Sequence, residues 1–233
     1  MSNGAKGTGA SSDGAGAGGQ RRHTHIEHAV TYAAVGASGS ADLLRFPPEG
    51  STPFEFELRL GSGSERFLIA SSSLMTWGAQ RGVGIRVKDI EHGDGGQYRG
   101  VEFDENGTPL PAADAEQQFG PDGEPYVSAN TSVTLHWPDQ RPSRRYRVVY
   151  TVDEPRRIGY AWGTADEQGV VGEELFTVEH RDDDTVWAAV RGFLWAPEGG
   201  LLPGRGKTKI KQALKESQAQ IGALVTGVLP TGD

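Results

Sequence analysis

The stretch GEELFTVEHRDDDTVWAAVRGFLW, residues 172–195, decides the fold. Either side of Arg181-Asp182-Asp183-Asp184, apolar residues recur with period two. That pattern reads as two strands, 172–180 and 185–195, closed by a polar turn. Alternation puts Trp187, Arg191, Phe193 and Trp195 on one face of the second strand. In the first strand Glu173 and Glu174 are neighbours, so they face opposite sides of the sheet. Only one of them can enter a cavity, and they do not form a two-carboxylate catalytic pair. A glutamate buried there without a partner would have a raised pKa and could serve as an acid or a base. Arg191, among aromatics, suits a ligand carboxylate or phosphate, or a cross-strand pair with Glu174 or Glu179.

The same period extends upstream. YRVVYTV at 146–152 meets IGYAWGT at 158–164 across DEPRR, where Pro155 fixes φ for the turn. Strand 158–164 is lopsided. Ile158, Tyr160, Trp162 and Thr164 share one face, and Gly159, Ala161 and Gly163 share the other. Small residues on one face allow a helix or a ligand to approach closely. YVSANTSVTLHW at 126–137 alternates, as do VGIRVKDI at 83–90 and FEFELRL at 54–60. Between the last two, Phe67, Ala70, Leu74 and Trp77 recur at helical spacing. A helix over 62–80 follows, with Ser62 and Glu65 as a capping box and Gly82 as its stop. A final helix carries Ile210, Leu214, Ser217, Ile221, Leu224 and Val228 on one stripe and ends at Gly227 and Pro230.

The remainder is weakly patterned. Residues 92–125 are acidic and rich in turn residues, with a short strand conceivable at 97–103 and a long loop around 104–125. Residues 1–25 read as a flexible Gly/Ala/Ser tail ahead of one domain spanning 26–228. That tail has no apolar signal core, which points to the cytoplasm. No apolar run is long enough to span a bilayer.

Composition narrows the chemistry. The 233 residues include no cysteine, which removes disulfides, zinc-thiolate sites and thiol nucleophiles. A net charge of −8 argues against a nucleic-acid binder. GGLLPGRGKTKIKQ, residues 199–212, resembles a phosphate loop, but the motif needs a glycine at position 201, which is Leu. The stretch also follows the last strand, so no sheet can be built after it. Lys207, Lys209 and Lys211 crowd the start of the helix, where they are solvated or meet an acidic partner. His23, His25 and His28 lack the companions of a metal site. No cofactor or metal is called for, and nucleophilic catalysis has no support.

TYAAVGAS (31–38), FLIASSSLMTWGAQRGVGIRV (67–87), YRVVYTVDEPRRIGYAWGT (146–164) and GEELFTVEHRDDDTVWAAVRGF (172–193) together resemble a bacterial and plant family. It is the domain of unknown function nineteen-ninety. The resemblance implies a shape more than a chemistry. That family's Leu-Pro-Gly-His-Pro-like turn is replaced here by ADEQGVV, residues 165–171, so no role of its histidine carries over.

The order of elements gives an α+β fold: a curved antiparallel sheet wrapping a long C-terminal helix, helix-grip-like, of the pollen-allergen and lipid-transfer type. The expected function is non-enzymatic binding of a small apolar or acidic ligand between sheet and helix. Tyr150, Tyr160, Trp162, Glu174, Phe176, Trp187 and Phe193 are the expected ligand-binding residues, with Arg191 as polar anchor. The alternatives are a hydrolase or cyclase using Glu174 with Arg191 in the same cavity, and an interaction module without a cavity.

Overall fold

The structure, a computed structural model, describes residues 30–93, 118–196 and 205–226. Both hairpins form. β6 (Val171–His180) and β7 (Thr185–Trp195) pair antiparallel with Phe176 opposite Val190. β4 (Arg144–Glu154) and β5 (Arg157–Thr164) close across Pro155 and Arg156. β1 (Thr52–Ser62) adds to the free side of β7, while β3 (Ser132–His136) and β2 (Arg86–Glu91) extend the other side. The result is one antiparallel sheet of seven strands in the order β1-β7-β6-β5-β4-β3-β2. α1 (Ser64–Met75), α2 (Gly78–Arg81) and α3 (Arg205–Ala223) pack on its concave face. This is the expected α+β helix-grip arrangement.

Cross-strand register sorts the side chains. Val190, Phe176, Tyr160 and Trp162 point to the concave face with Val148, Val133 and Leu135, and all are buried. Phe67, Leu74 and Trp77 meet them from the short helices, and Ile221 and Leu224 from α3. Rings fill the centre. Trp162 lies 4.6 Å from Tyr146, 5.5 Å from Phe176 and 6.1 Å from Trp77, centroid to centroid. Such pairs contribute about 0.5–1.5 kcal/mol each beyond their burial.

The convex face has a different cover. The segment from Thr31 to Ser51 crosses β5, β6 and β7. Thr31 donates its amide to the Thr164 carbonyl at 3.0 Å. The Tyr32 ring meets Phe193 edge-on at 5.8 Å, Leu43 is buried, and Trp195 donates to the Glu49 carbonyl at 2.9 Å. Tyr32 passes directly over Gly163, where a Cβ would sit 2.0 Å from the phenol oxygen. The small face of β5 therefore receives the chain's own N-terminal segment, rather than a helix or a ligand.

Four boundaries differ from the sequence reading. β1 runs on through Ser62, so Gly63 takes the N-cap of α1 with no side-chain cap bond, and the expected Ser62–Glu65 box does not form. Trp77 adopts φ 64°, which separates α1 from α2 and turns the indole into the core. Asn130 adopts φ 69°, which keeps the strand expected over 126–137 to Ser132–His136, although Val127, Ala129 and Thr131 are still buried. α3 ends at Ala223. The 1–25 tail, the strand conceived at 97–103 and most of the acidic stretch lie outside the described residues.

Two glycine substitutions should move stability in opposite directions. Gly163→Ala forces Tyr32 off the sheet and should cost about 1–3 kcal/mol. Gly222→Ala, where an added Cβ meets nothing within 4 Å on α3, should gain up to about 1 kcal/mol. Urea denaturation of both variants checks the pair.

Candidate functional site

Glu173 and Glu174 sit at the middle of the sheet on opposite faces, with exposures of 0% and 9%. A buried carboxyl must find partners or remain protonated. The two residues meet this demand differently.

On the convex side, the Glu173 carboxylate accepts from Tyr32 Oη at 2.7 Å, Ser38 Oγ at 2.6 Å, and the amides of Gly36 at 2.8 Å and Ser38 at 3.0 Å. Ser38 has one hydroxyl proton and gives it to Glu173, so Tyr150 donates to Ser38 Oγ at 2.8 Å. Burial, reinforced by Glu173, pushes the Tyr32 phenol up. Burial takes Tyr150 up to about 12. This face is a closed polar clasp on the N-terminal segment.

On the concave side, Trp162 Nε1 donates to Glu174 Oε2 at 3.0 Å, and Ser217 Oγ of α3 lies against Oε1. Ser217 Oγ is also 2.9 Å from the Ala213 carbonyl. Burial raises the Glu174 carboxyl above its ordinary value of 4.5, with Glu216 adding, while Ser217, Trp162 and Arg144 oppose. Counting protons points the same way. Ser217 has one proton and two acceptors. With Glu174 neutral, its O–H donates to Ser217 Oγ, Ser217 donates to Ala213, and Trp162 donates to the carboxyl's other oxygen. Every group is then satisfied.

Next to Glu174 lies a cavity of about 40 Å³, walled by Tyr146, Trp162 and Glu174 from the sheet and Ala213, Ser217 and Gln220 from α3. It has room for roughly one to three waters and falls short of the roughly 300–1,000 Å³ of a preformed ligand pocket. α3 is held over it largely by polar contacts. Gln80 Nε2 donates to Gln220 Oε1 at 3.0 Å, and Tyr160 Oη donates to Gln80 Oε1 at 3.1 Å, all fully or nearly buried. Arg141 pairs with Glu216 at 2.6 Å. Ile210, Ala213 and Leu214, on the N-terminal half of α3, are only half-buried.

The expected lining residues are not brought together. Trp162 and Glu174 line the cavity. Tyr160 and Phe176 share their face but are stacked within the core, 5.9 Å apart. Tyr150, Trp187, Arg191 and Phe193 lie on the convex face. Tyr150 is turned there by a bulge after Val148, which breaks the even-numbered alternation of β4. Register puts Arg191 opposite Glu55. Its Nε is 3.9 Å from the Glu55 carboxylate and its Nη2 donates to the Ser40 carbonyl at 2.8 Å, so neither Glu174 nor Glu179 is its partner. Trp187 lies beneath Arg181 at 4.4 Å. Sequence reasoning missed Tyr32, Ser38, Gln80 and Gln220. Ser217 gave a readable signal, a hydroxyl on the buried stripe of α3. Among the described residues no three acidic or imidazole groups converge to hold a metal, and no helix is long and apolar enough to cross a membrane.

A family profile described as domain of unknown function (DUF1990) matches residues 117–196, the segment that holds β3 to β7. The family resemblance read from the sequence therefore holds over that segment. No curated protein matches the chain. Among solved structures, a hypothetical protein of Helicobacter pylori, jhp0584, is similar at 12% identity and a TM-score of 0.45, over 84% of this chain and 97% of that one. Ara h 8.0201 is similar at 12% identity and a TM-score of 0.40, over 76% of this chain and 99% of that one.

Glu174→Gln tests the proton assignment. The amide can donate to Ser217 and accept from Trp162, so stability near neutral pH should match or exceed wild type. The raised folded pKa means the folded state keeps its proton after the unfolded state loses it. Wild-type stability should therefore fall relative to Glu174→Gln as pH rises from the ordinary 4.5 toward the raised folded value. Urea unfolding across that range checks this. A uniform loss of about 1.5–3 kcal/mol in the variant would mean an ionised Glu174.

Proposed function

We propose that the domain binds a small, mostly apolar molecule with a neutral hydrogen-bonding head, seated between the sheet and the N-terminal half of α3. The observation that carries this reading is the Trp162–Glu174–Ser217 group on the wall of the cavity. It offers a donor and a neutral acid in an apolar setting, the usual way such sites orient a ligand. Ile210, Ala213 and Leu214 supply an apolar cover that is only half-buried, so a ligand enters by displacing that half of the helix. The reading is one of binding rather than turnover. Both Glu174 oxygens are engaged, and the Ser217 hydroxyl beside them is tied to the Ala213 carbonyl at 2.9 Å. The cavity of about 40 Å³ favours a second reading, an interaction module with a closed core.

The neutral fluorescent probe N-phenyl-1-naphthylamine separates the two. Binding should saturate, quench tryptophan emission through Trp162, and be abolished in Ala213→Trp, whose indole fills the mouth, with unfolding unchanged. No saturable binding, or binding that Ala213→Trp leaves intact, would favour the interaction module.

A further inference from the structure

A second cleft lies at the β2–β3 end of the sheet. It has a volume of about 520 Å³ and is lined by Arg86, His136, Trp137, Pro138, Gln140 and Arg141, with Gly84 at its edge. That volume is in the range of small-molecule sites, roughly 300–1,000 Å³, and far larger than the seam beneath α3. Arg86 and His136 are cross-strand neighbours, which puts a guanidinium and an imidazole side by side.

Two features are unexplained by the fold. Trp137 is 7% exposed, and its buried indole nitrogen has no hydrogen-bond partner among the described residues. An orphaned donor of this kind carries a desolvation penalty that an acceptor would remove. The Arg86 side chain is exposed and forms no hydrogen bond or ion pair with another described residue. Arg141 differs: it lies 4.5 Å over the Trp137 ring and is held by Asp139 at 3.1 Å and Glu216 at 2.6 Å. Its charge is met, so Arg86 is the cation left for a ligand.

We propose that this cleft binds a small organic anion, with a carboxylate or phosphate group against Arg86 and the Gln140 amide. Its apolar body lies along Pro138 and the Trp137 ring. The volume argues for an organic body, since a bare inorganic anion would leave most of it empty. Arginine suits either oxyanion through its planar fork of donors.

The test titrates isotopically labelled full chain with phenyl phosphate, benzoate and inorganic phosphate. It follows the tryptophan indole resonances, with Trp137→Phe used to assign one of them, and measures affinity by calorimetry. One aryl anion should saturate at one per chain, move the Trp137 resonance and bind at least about tenfold tighter than inorganic phosphate. The better of the two aryl anions identifies the oxyanion. Arg86→Ala should weaken it about tenfold with unfolding unchanged. Ala213→Trp should leave its affinity unaffected, which separates this cleft from the seam under α3, whose wall Trp137 also lines. Absence of saturable binding by all three probes, an unmoved Trp137 resonance, or an affinity indifferent to Arg86→Ala would overturn the proposal.

Discussion

Two consecutive carboxyls on β6 must each be satisfied away from water, and the rest of the structure depends on how that is done. The pleat sends Glu173 to the convex face and Glu174 to the concave one. Each is then met by a distant part of the chain, Tyr32 to Ser38 on one side and Ser217 on the other. Leaving either carboxyl unpaired in the interior would cost several kcal/mol, more than most single apolar contacts contribute. The N-terminal segment and α3 are thus pinned from opposite sides to adjacent residues of one strand. Gly163 belongs to the same constraint, because Tyr32 reaches Glu173 only across a position without a side chain.

The two attachments differ in what they allow. The Glu173 clasp is assembled from backbone amides and hydroxyls within one short segment, residues 32–38. The Glu174 attachment joins a buried carboxyl to a single serine on a helix whose leading half is loosely covered. Hydrogen bonds of that kind can be exchanged for equivalent ones from a ligand at little net cost. The concave face is therefore where the proposed ligand would enter. The rings of Trp77, Tyr160, Trp162 and Phe176 have already taken the space that a preformed pocket would need.

Much of this architecture was legible in period-two alternation. The hairpins of β4–β5 and β6–β7 and the opposite orientation of Glu173 and Glu174 follow from it, and the long last helix follows from apolar residues three and four apart. The lopsided face of β5 correctly marked a place of close approach. Its occupant was not legible, because residues 30–51 carry no periodic pattern and Ser38 meets Glu173 across 135 positions of sequence. Tyr150 was assigned to the wrong face because a bulge after Val148 leaves no mark in the alternation. Arg191 was offered the wrong carboxylates because the pairing of β1 with β7 is fixed by register, which residue spacing alone does not reveal.

Native-state hydrogen exchange tests the joint anchoring most directly, since it reads both attachments in one sample. If Glu173 and Glu174 hold the two covers, the Ser38 amide and the Trp162 indole N–H should exchange only through opening as costly as that of the β6 backbone amides. Exchange of either proton through a much cheaper local opening, while β6 stays protected, would show that its cover lifts independently and would contradict the account.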